Sequence, residues 1–516
     1  MTSSRDANAV ALTLSLGASL AVALTLACGG GEPKTTGKFA ASSTLAGKCA
    51  APRPGTRDAR GSLDDEKAWL RSWNDELYLW YREVPQTVLD APGAYATPVE
   101  YFAALKTPAQ VGGKPKDQFH FFLPTDVWNQ LSQSGIQAGY GVQWALLGTT
   151  PPRRAVVAYV ESPSQAQTAG IRRGLEVVTV DGVDLVNDAT QAGVNILNEG
   201  LFPTQLNEQH VIVLKDPTTP ATVTATLTAQ NVTFAPVHTV KTVGTGADTV
   251  GYILFNDHVA TAEGALVNAV HTVQGAGAKD LVLDLRYNGG GLLGIASEVA
   301  YMIAGPARTT GKTFEKTIFS DKYPTNDPVT GDPLVASPFQ PTVIGYDPSI
   351  TRGQALPHLD LSRVFVLTTA GTCSASESII NSLQGIGVEV IQVGGTTCGK
   401  PYGFYPQDNC GTTYFSIQFQ GVNAAGFGDY ANGFTPGGTG GASPHGCGVS
   451  DDFGHELGDP AEAQLAAALA YRATGQCPPP APPPAATLAR RLSSPAADVV
   501  AVPKGPWREN RILVRP

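Results

Sequence analysis

The sequence predicts an α/β (α+β) core with an inserted β-rich unit and a small N-terminal helical unit. The chain has 516 residues, enough for about three domains. Its 57 glycines and 39 prolines supply many turns, which argues against an all-helical bundle. In the second half, apolar runs of strand length alternate with helix-length segments, as in βαβ units.

The charge balance excludes one class of partner. Lys and Arg number 35 against 44 Asp and Glu, a formal net charge of −9. A nucleic-acid binder needs a broad basic face, so we expect no nucleic-acid partner. Hydrophobic residues make up 42% of the chain, which is enough for a sizeable core.

The first element is an uncharged stretch over residues 9–27, followed by Cys28 and three glycines. The segment ending at Cys28 resembles a bacterial lipobox, so we predict that residues 1–28 are a lipoprotein signal peptide and that Cys28 carries lipid. The protein would then be exported and anchored in a membrane, facing the periplasm or cell surface. A plain signal peptide and an uncleaved anchor are the alternatives.

Residues 29–60 are rich in small residues and Pro, so we predict a flexible spacer. A helical unit follows over residues 61–130. Ser62 with Asp65 three positions later is typical of a helix start. Aromatic and apolar side chains at helical spacing predict one buried face: Trp69, Trp73, Leu77, Trp80 and Tyr81.

The inserted unit covers residues 135–235, where short β-rich runs are separated by turn residues. Segments 162–171 and 174–182 resemble a PDZ domain of the bacterial protease type. That resemblance implies that a peptide adds as a strand to a sheet edge and that its carboxylate meets backbone N–H groups. The matching stretch is Gly139, Tyr140, Gly141 and Val142. An ordinary β-hairpin with turn glycines is the alternative.

The α/β core is predicted over residues 240–475. Within it, residues 306–360 lack periodicity and are interpreted as a long surface insertion. Residues 476–516 form a Pro-rich tail.

The most informative position in the core is Ser374, at a predicted strand-to-helix turn. Such a turn exposes a hydroxyl at a helix N-terminus, where N–H groups and positive potential stabilise a developing anion. Lys400 follows 26 residues later, after the next predicted strand. Taken alone, Ser374 fits an ordinary N-cap better than a nucleophile.

Three motifs occur in order: residues 284–291, 374–377 and 393–400. Together they resemble the C-terminal processing peptidases, also called tail-specific proteases. The resemblance implies Ser374 as nucleophile and Lys400 as a desolvated, neutral general base. It also implies an oxyanion hole made by Ala375 and one residue of Gly289, Gly290 and Gly291. We expect no cofactor and no metal.

One position departs from the family pattern. Phe404 stands where the family often has a Gln that orients the lysine. Gln392, Gln418 or Tyr402 could replace it, or packing alone could hold Lys400.

Six cysteines remain after Cys28, an even number with 15 possible pairings. The short spacing of Cys398 and Cys410 makes their disulfide the predicted one, and free buried thiols are the alternative. Cys373 is interpreted as structural, not as a rival nucleophile. The acidic cluster at residues 451–459 is interpreted as helix capping, not as a metal site.

These observations predict an exported serine endopeptidase with a Ser/Lys dyad. Its partners would be protein or peptide substrates with free C-terminal tails, and a membrane through the lipid anchor. A non-catalytic peptide-binding lipoprotein of the same fold is the alternative. A relative that uses His as the base is disfavoured by the match at Gly399 and Lys400.

Overall fold

The structure is a computed structural model that describes residues 38–111, 113–438 and 443–479, together with the backbone of 511–512. The predicted signal peptide, Cys28 and most of the Pro-rich tail lie outside these residues. Among the described helices, none is long and apolar enough to cross a membrane.

The N-terminal part, residues 38–134, is a small unit of short helices and strands. Its elements are α1 Ser42–Leu45, β1 Lys48–Cys49, β2 Ala59–Arg60, α2 Leu63–Leu77, α3 Gln86–Asp90, α4 Pro98–Ala104, β3 Gln110–Val111, β4 Lys114–Pro115, β5 Phe121–Pro124 and α5 Thr125–Ser134, with short 3-10 helices at Tyr81–Glu83 and Pro92–Ala94.

The helix start predicted at Ser62 is confirmed. Ser62 Oγ accepts a hydrogen bond from the Asp65 N–H at 3.2 Å, and the Asp65 carboxylate accepts one from the Ser62 N–H at 2.9 Å. Trp69 and Trp73 are buried and stack at 5.4 Å between ring centroids. The helix ends at Leu77, before the last two members of the predicted aromatic face.

The predicted spacer is wrong for residues 38–60. This stretch forms α1, β1 and β2, and Cys49 is bonded to Cys410. Ser42 also donates to Glu76 on α2, with a backbone N···O distance of 2.7 Å. Long-range contacts therefore fix this segment, and its small-residue composition did not predict them.

The middle module, residues 136–233, is an antiparallel β structure. It comprises β6 Ile136–Gly139, β7 Val142–Gly148, β8 Arg154–Val160, α6 Gln165–Thr168, β9 Glu176–Val180, β10 Val183–Asp184, α7 Gln191–Leu201, β11 Gln209–Lys215, β12 Thr222–Thr228 and β13 Gln230–Thr233. The main sheet has the strand order β12-β11-β9-β8-β7, with β10 on β9, so β7 is an edge strand. A separate pair joins β13 to β6.

The core follows as an α/β unit. Its elements are β14 Val237–Val243, a 3-10 helix at Gly246–Asp248, β15 Val250–Phe255, α8 Ala262–Gly275, β16 Asp280–Asp284, β17 Gly291–Leu292, α9 Leu293–Ala304, α10 Pro306–Thr309, β18 Thr313–Phe319, β19 Ser337–Pro338, β20 Arg363–Thr368, α11 Ala375–Gly385, β21 Glu389–Gly394, β22 Tyr402–Gly403, β23 Gln407–Asn409, β24 Thr412–Phe415, β25 Phe419–Val422, β26 His445–Gly448, α12 Ala463–Thr474 and β27 Arg511–Ile512.

A six-stranded sheet organises this core, in the order β14-β15-β16-β20-β21-β26. Every neighbouring pair is parallel except β14 with β15. The parallel strands are apolar on both faces, as expected for a sheet covered by helices.

Residues 306–360 are not simply a surface insertion. Strand β18 lies in this range and pairs antiparallel with β25, about one hundred residues later. Phe314, Phe339, Val343 and Leu356 are buried in the main hydrophobic core. The segment has no sequence periodicity because single apolar residues, and not one regular face of a helix or strand, contact the core.

The three units share contacts. Strand β5 of the N-terminal part pairs with β24 of the core. Ala145 and Tyr159 of the middle module pack with Tyr252 and Tyr287 in one buried cluster. The module therefore rests on the core sheet.

Candidate active site

The predicted site residues follow three neighbouring parallel strands. β16 ends at Asp284, β20 at Thr368 and β21 at Gly394. The carboxyl ends of parallel strands meet at one edge of a sheet, where α/β proteins place their binding sites. The loop with the glycines, the turn with Ser374 and the turn with Lys400 therefore lie together.

Ser374 occupies a strained turn. Its φ is +59°, a region that few residues other than glycine adopt, and helix α11 starts at the next residue. The side chain is buried, and its Oγ has no hydrogen-bond partner among the described residues. Ser374 also takes part in a capping arrangement with Glu377, whose carboxylate accepts a hydrogen bond from the Ser374 N–H.

Glu377, three residues into the same turn, joins the Ser374 turn to the Lys400 turn. Its carboxylate accepts hydrogen bonds from the N–H groups of Ser374, at 2.9 Å, and Lys400, at 2.8 Å. It also accepts from Thr397 Oγ1 at 2.5 Å and the Gly399 N–H at 2.8 Å. Burial raises the pKa of Glu377, and these hydrogen bonds oppose the shift. The sequence motif includes Glu377, but its spacing gave no indication of this role.

A disulfide also connects the Ser374 turn to the Lys400 turn. Cys373, next to Ser374, is bonded to Cys398, two residues before Lys400. The Cys398 N–H also donates to the Thr372 carbonyl at 3.0 Å. The two sulfurs lie near Glu377, but sulfurs joined to each other are not thiolate ligands for a metal.

The predicted Cys398–Cys410 disulfide is therefore wrong. Cys410 pairs with Cys49, and the third bond joins Cys447 to Cys477. Short loop spacing favoured the wrong partner because the fold brings residues 361 positions apart to a Cα separation of 5.3 Å.

Lys400 is buried among aromatic rings. Its Nζ lies 4.6 Å from the centroid of Phe119 and 5.1 Å from that of Phe404. The glutamines considered as substitutes are used elsewhere. Gln392 Nε2 donates to the Phe434 carbonyl at 2.8 Å, and Gln418 Oε1 accepts from the Tyr405 N–H at 3.2 Å. Phe404 thus packs where a polar residue was expected.

The glycine loop is held by Asn288. The Asn288 carbonyl accepts from the Cys373 N–H at 3.1 Å and from Ser376 Oγ at 3.0 Å, which joins this loop to the Ser374 turn. Its side-chain oxygen accepts from the Gly290 N–H at 3.0 Å. Ser376 is thus engaged in a hydrogen bond at the start of α11.

A buried ion-pair network lies next to this loop, and the composition did not predict it. The Arg286 guanidinium contacts Asp284 at 2.9 Å, Asp451 at 2.8 Å and Glu462 at 2.8 Å. Asp451 also pairs with Arg173 of the middle module at 2.7 Å. Asp451 was expected only to cap a helix, and it instead connects the module to the core.

The residues predicted to bind a peptide carboxylate lie beside edge strand β7. Gly139 and Tyr140 line a cavity of about 420 Å³, together with Glu161 and the segment 162–165. Gly141 has φ +82°, and Val142 is the first residue of β7. Among the described strands, only β8 pairs with β7.

Part of the core is similar in sequence to known peptidases. Residues 249–404 match the family described as Peptidase family S41. The chain is 26% identical over 272 residues to a carboxyl-terminal-processing protease of Picosynechococcus sp., covering 52% of this chain and 56% of the relative. It is 24% identical to a carboxyl-terminal-processing protease of Synechocystis sp., covering 64% of this chain and 70% of that relative.

A crystal structure described as an S41 protease from Bacteroides fragilis is 22% identical, with a TM-score of 0.57. The alignment covers 79% of this chain and 97% of the Bacteroides fragilis chain. At this level of identity, the similarity supports the fold alone. The match to the Picosynechococcus protein spans only about half of that relative's length. Within these bounds, residues 249–404 match a peptidase family S41 domain, and the chain is similar to carboxyl-terminal-processing proteases.

Proposed function

We propose that this protein is a serine peptidase in which Ser374 is the nucleophile and Lys400 the general base. The observation that carries this proposal is the joint fixation of the two turns. Glu377 accepts from the backbone N–H groups of both residues, and the Cys373–Cys398 disulfide closes the same pair of turns. A nucleophile and base that act together need such fixed relative positions.

In the proposed reaction, Lys400 Nζ accepts the proton of Ser374 Oγ as Oγ bonds to the scissile carbonyl carbon. The resulting tetrahedral oxyanion collapses, the peptide C–N bond breaks, and the amine leaves with the proton from Lys400. Water then attacks the acyl ester, giving its proton to Lys400, and releases the new carboxylate while Ser374 regains its proton. The complete burial of Lys400 disfavours its charged form and so favours the neutral amine that starts this cycle.

The oxyanion would be bound by backbone donors. Ala375 is the first residue of α11, so its N–H has no acceptor within the helix. Among the three glycines, the Gly290 N–H already donates to Asn288. The second donor is therefore assigned to Gly289 or Gly291.

We further propose that the middle module is a PDZ-like domain that selects substrates by their C-terminal tails. A tail would add as a strand along the outer edge of β7, and its carboxylate would enter the cavity lined by Gly139 and Tyr140. The names of the relatives, which are carboxyl-terminal-processing proteases, support this assignment.

Export and lipid anchoring through Cys28 complete the proposal. All six cysteines of the described residues are paired in disulfides, which is typical of an oxidising compartment. Mass spectrometry of the membrane fraction tests the anchor, since a mature chain that begins anywhere but at a lipidated Cys28 contradicts it.

The peptidase is tested with an unfolded substrate bearing an apolar tail. Ser374→Ala and Lys400→Ala are expected to lower kcat at least about 1,000-fold while leaving tail binding unchanged. Lys400→Arg is expected to fail as well, because a guanidinium does not release its proton at working pH. Ser376→Ala is the matched control, with a smaller loss.

Two results would contradict this proposal in different ways. Near wild-type activity of Lys400→Arg would show that another group is the base. Tail binding by a wild type that cleaves no unfolded substrate would favour the non-catalytic peptide-binding protein.

A further inference from the structure

The short strand β27 lies against the candidate active site. Its residues Arg511 and Ile512 pair in parallel with Gly291 and Leu292 of β17. β17 begins at the last glycine of the loop proposed to bind the oxyanion. A distant part of this chain is therefore added as a strand at the edge of that loop.

The same strand also contacts the other side of the site. β27 lies beside β22, which consists of Tyr402 and Gly403 and begins two residues after Lys400. The backbone of 511–512 thus runs between the glycine loop and the strand that follows the proposed base. An extended substrate that reached Ser374 would need this space.

We propose that strand β27, residues 511–512, occupies the substrate groove and competes with substrates for it. This inference rests on the proposed function, because it assigns an occupant to the same groove. The recognition is by main-chain hydrogen bonds along β17, as when a peptide adds to an exposed sheet edge. Such recognition tolerates many side chains, so the chain's own tail and an unfolded substrate fit the same edge.

Tethering explains why a short strand suffices. Only 32 positions separate Pro479, at the end of the main described body, from Arg511. A tethered segment has an effective concentration of about millimolar, so even a weak site is substantially filled. The competition is expected to raise the apparent KM about three- to tenfold and to leave kcat unchanged.

The binding test uses the full chain carrying Ser374→Ala, so that no turnover interferes. A cleavage site for a sequence-specific protease is inserted between Pro484 and Ala485, seven residues beyond Cys477, and the tail is removed from the folded protein. A labelled peptide of residues 505–516 is then titrated into the intact and the severed protein, with a thermal melt as the check on folding.

We expect the peptide to bind the severed protein and to bind the intact protein at least threefold more weakly. The control peptide carries Arg511→Pro and Ile512→Pro, which removes both N–H donors of the strand, and it should not bind. Equal binding to intact and severed protein, equal binding of the two peptides, or no binding would overturn the inference.

Kinetics on the chain with an intact Ser374 separate this inference from the proposed function. If removal of the tail lowers KM at constant kcat, the result supports both the peptidase function and the tail inference. Unchanged kinetics together with absent peptide binding would overturn the tail inference and leave the peptidase standing. Peptide binding without hydrolysis of any substrate would overturn the peptidase and leave the occupied groove standing.

Discussion

The proposed catalytic edge of the core, which carries Ser374 and Lys400, and the outer edge of β7 are built in opposite ways. At the catalytic edge, a disulfide, the Glu377 carboxylate and the Asn288 carbonyl connect loops that come from three different strands. At the other edge, β7 pairs on one side only among the described strands, and it borders a cavity.

The difference follows from the two tasks that we propose. Proton transfer and attack require atoms held to a few tenths of an ångström, so the loops are cross-linked. Binding of tails with variable sequences requires main-chain donors and acceptors that remain available, so one sheet edge is left open. The Arg173–Asp451 ion pair joins the module to the core.

Among the changes that test this comparison, the largest effect is expected from replacing Glu377, at the centre of the proposed catalytic edge. Glu377→Gln replaces an oxygen acceptor by an NH₂ donor, so N–H groups of Ser374 or Lys400 lose their partner. We expect kcat to fall about 100-fold, equivalent to about 2.7 kcal/mol, with little change in KM. Glu389→Gln, at an exposed position on β21, is the control. An equal rise in KM would show that Glu377 serves binding instead.

The disulfide at the site should matter more than the disulfide away from it. Cys373→Ala with Cys398→Ala is expected to lower kcat about tenfold, because the two turns lose their covalent connection while Glu377 still joins them. Cys447→Ala with Cys477→Ala removes a bond of similar sequence separation, 30 against 25, and should change kcat less than about twofold. Equal losses in both double variants would contradict a positioning role for the first bond.

Changes at the outer edge of β7, where substrate tails are proposed to bind, should alter KM and not kcat. A Cβ at Gly141 would lie 2.3 Å from Ser164 Cβ, at a φ of +82°. Gly141→Ala is therefore expected to raise KM for tail-bearing substrates about tenfold, because the turn before β7 must shift. Gly170→Ala has a similar φ of +75° but no atom within 4 Å of the added Cβ, so it controls for backbone strain alone. A kcat loss without a KM change would rule out the assignment of this edge.

The smallest effect is a change in the pH dependence of stability, and it belongs to the core alone. Burial and the neighbouring Glu263 raise the pKa of Glu298 to about 9, from 4.5. The folded protein keeps this carboxyl protonated where the unfolded chain has lost the proton, so its stabilising contribution is complete below pH 4.5 and is lost as the pH rises towards 9.

Glu298→Gln should therefore flatten the decline in stability between pH 5.5 and 8.5, as measured by urea unfolding. Glu389→Gln is again the exposed control and should leave the slope unchanged. A wild type whose stability rises over this range would contradict the assignment.

The sequence predicted those parts of the fold that depend on local patterns. The capped start of α2 and the parallel strands before the three motifs could be read from spacing, because capping and burial have short sequence periods. The order of motifs also placed Ser374 at a strand-to-helix turn. The structure has that turn immediately before α11.

Features set by distant contacts could not be predicted in the same way. The partner of Cys49 lies 361 residues away, and β18 pairs with β25, about one hundred residues later in the chain. Within the site, Glu377 was visible as a motif residue, but its four donors come from two turns that only the sheet brings together. Asp451 looked like a capping residue because Arg286 and Arg173 are remote in sequence.

The Cys49–Cys410 bond has a further consequence, because it turns most of the described chain into a covalent ring. The whole middle module lies inside this ring. A single peptide-bond cleavage between residues 50 and 409 would leave one molecule, heavier by one water and unchanged in apparent size on a non-reducing gel. Two fragments would separate only after reduction, so nicked and intact protein co-purify unless thiols are present.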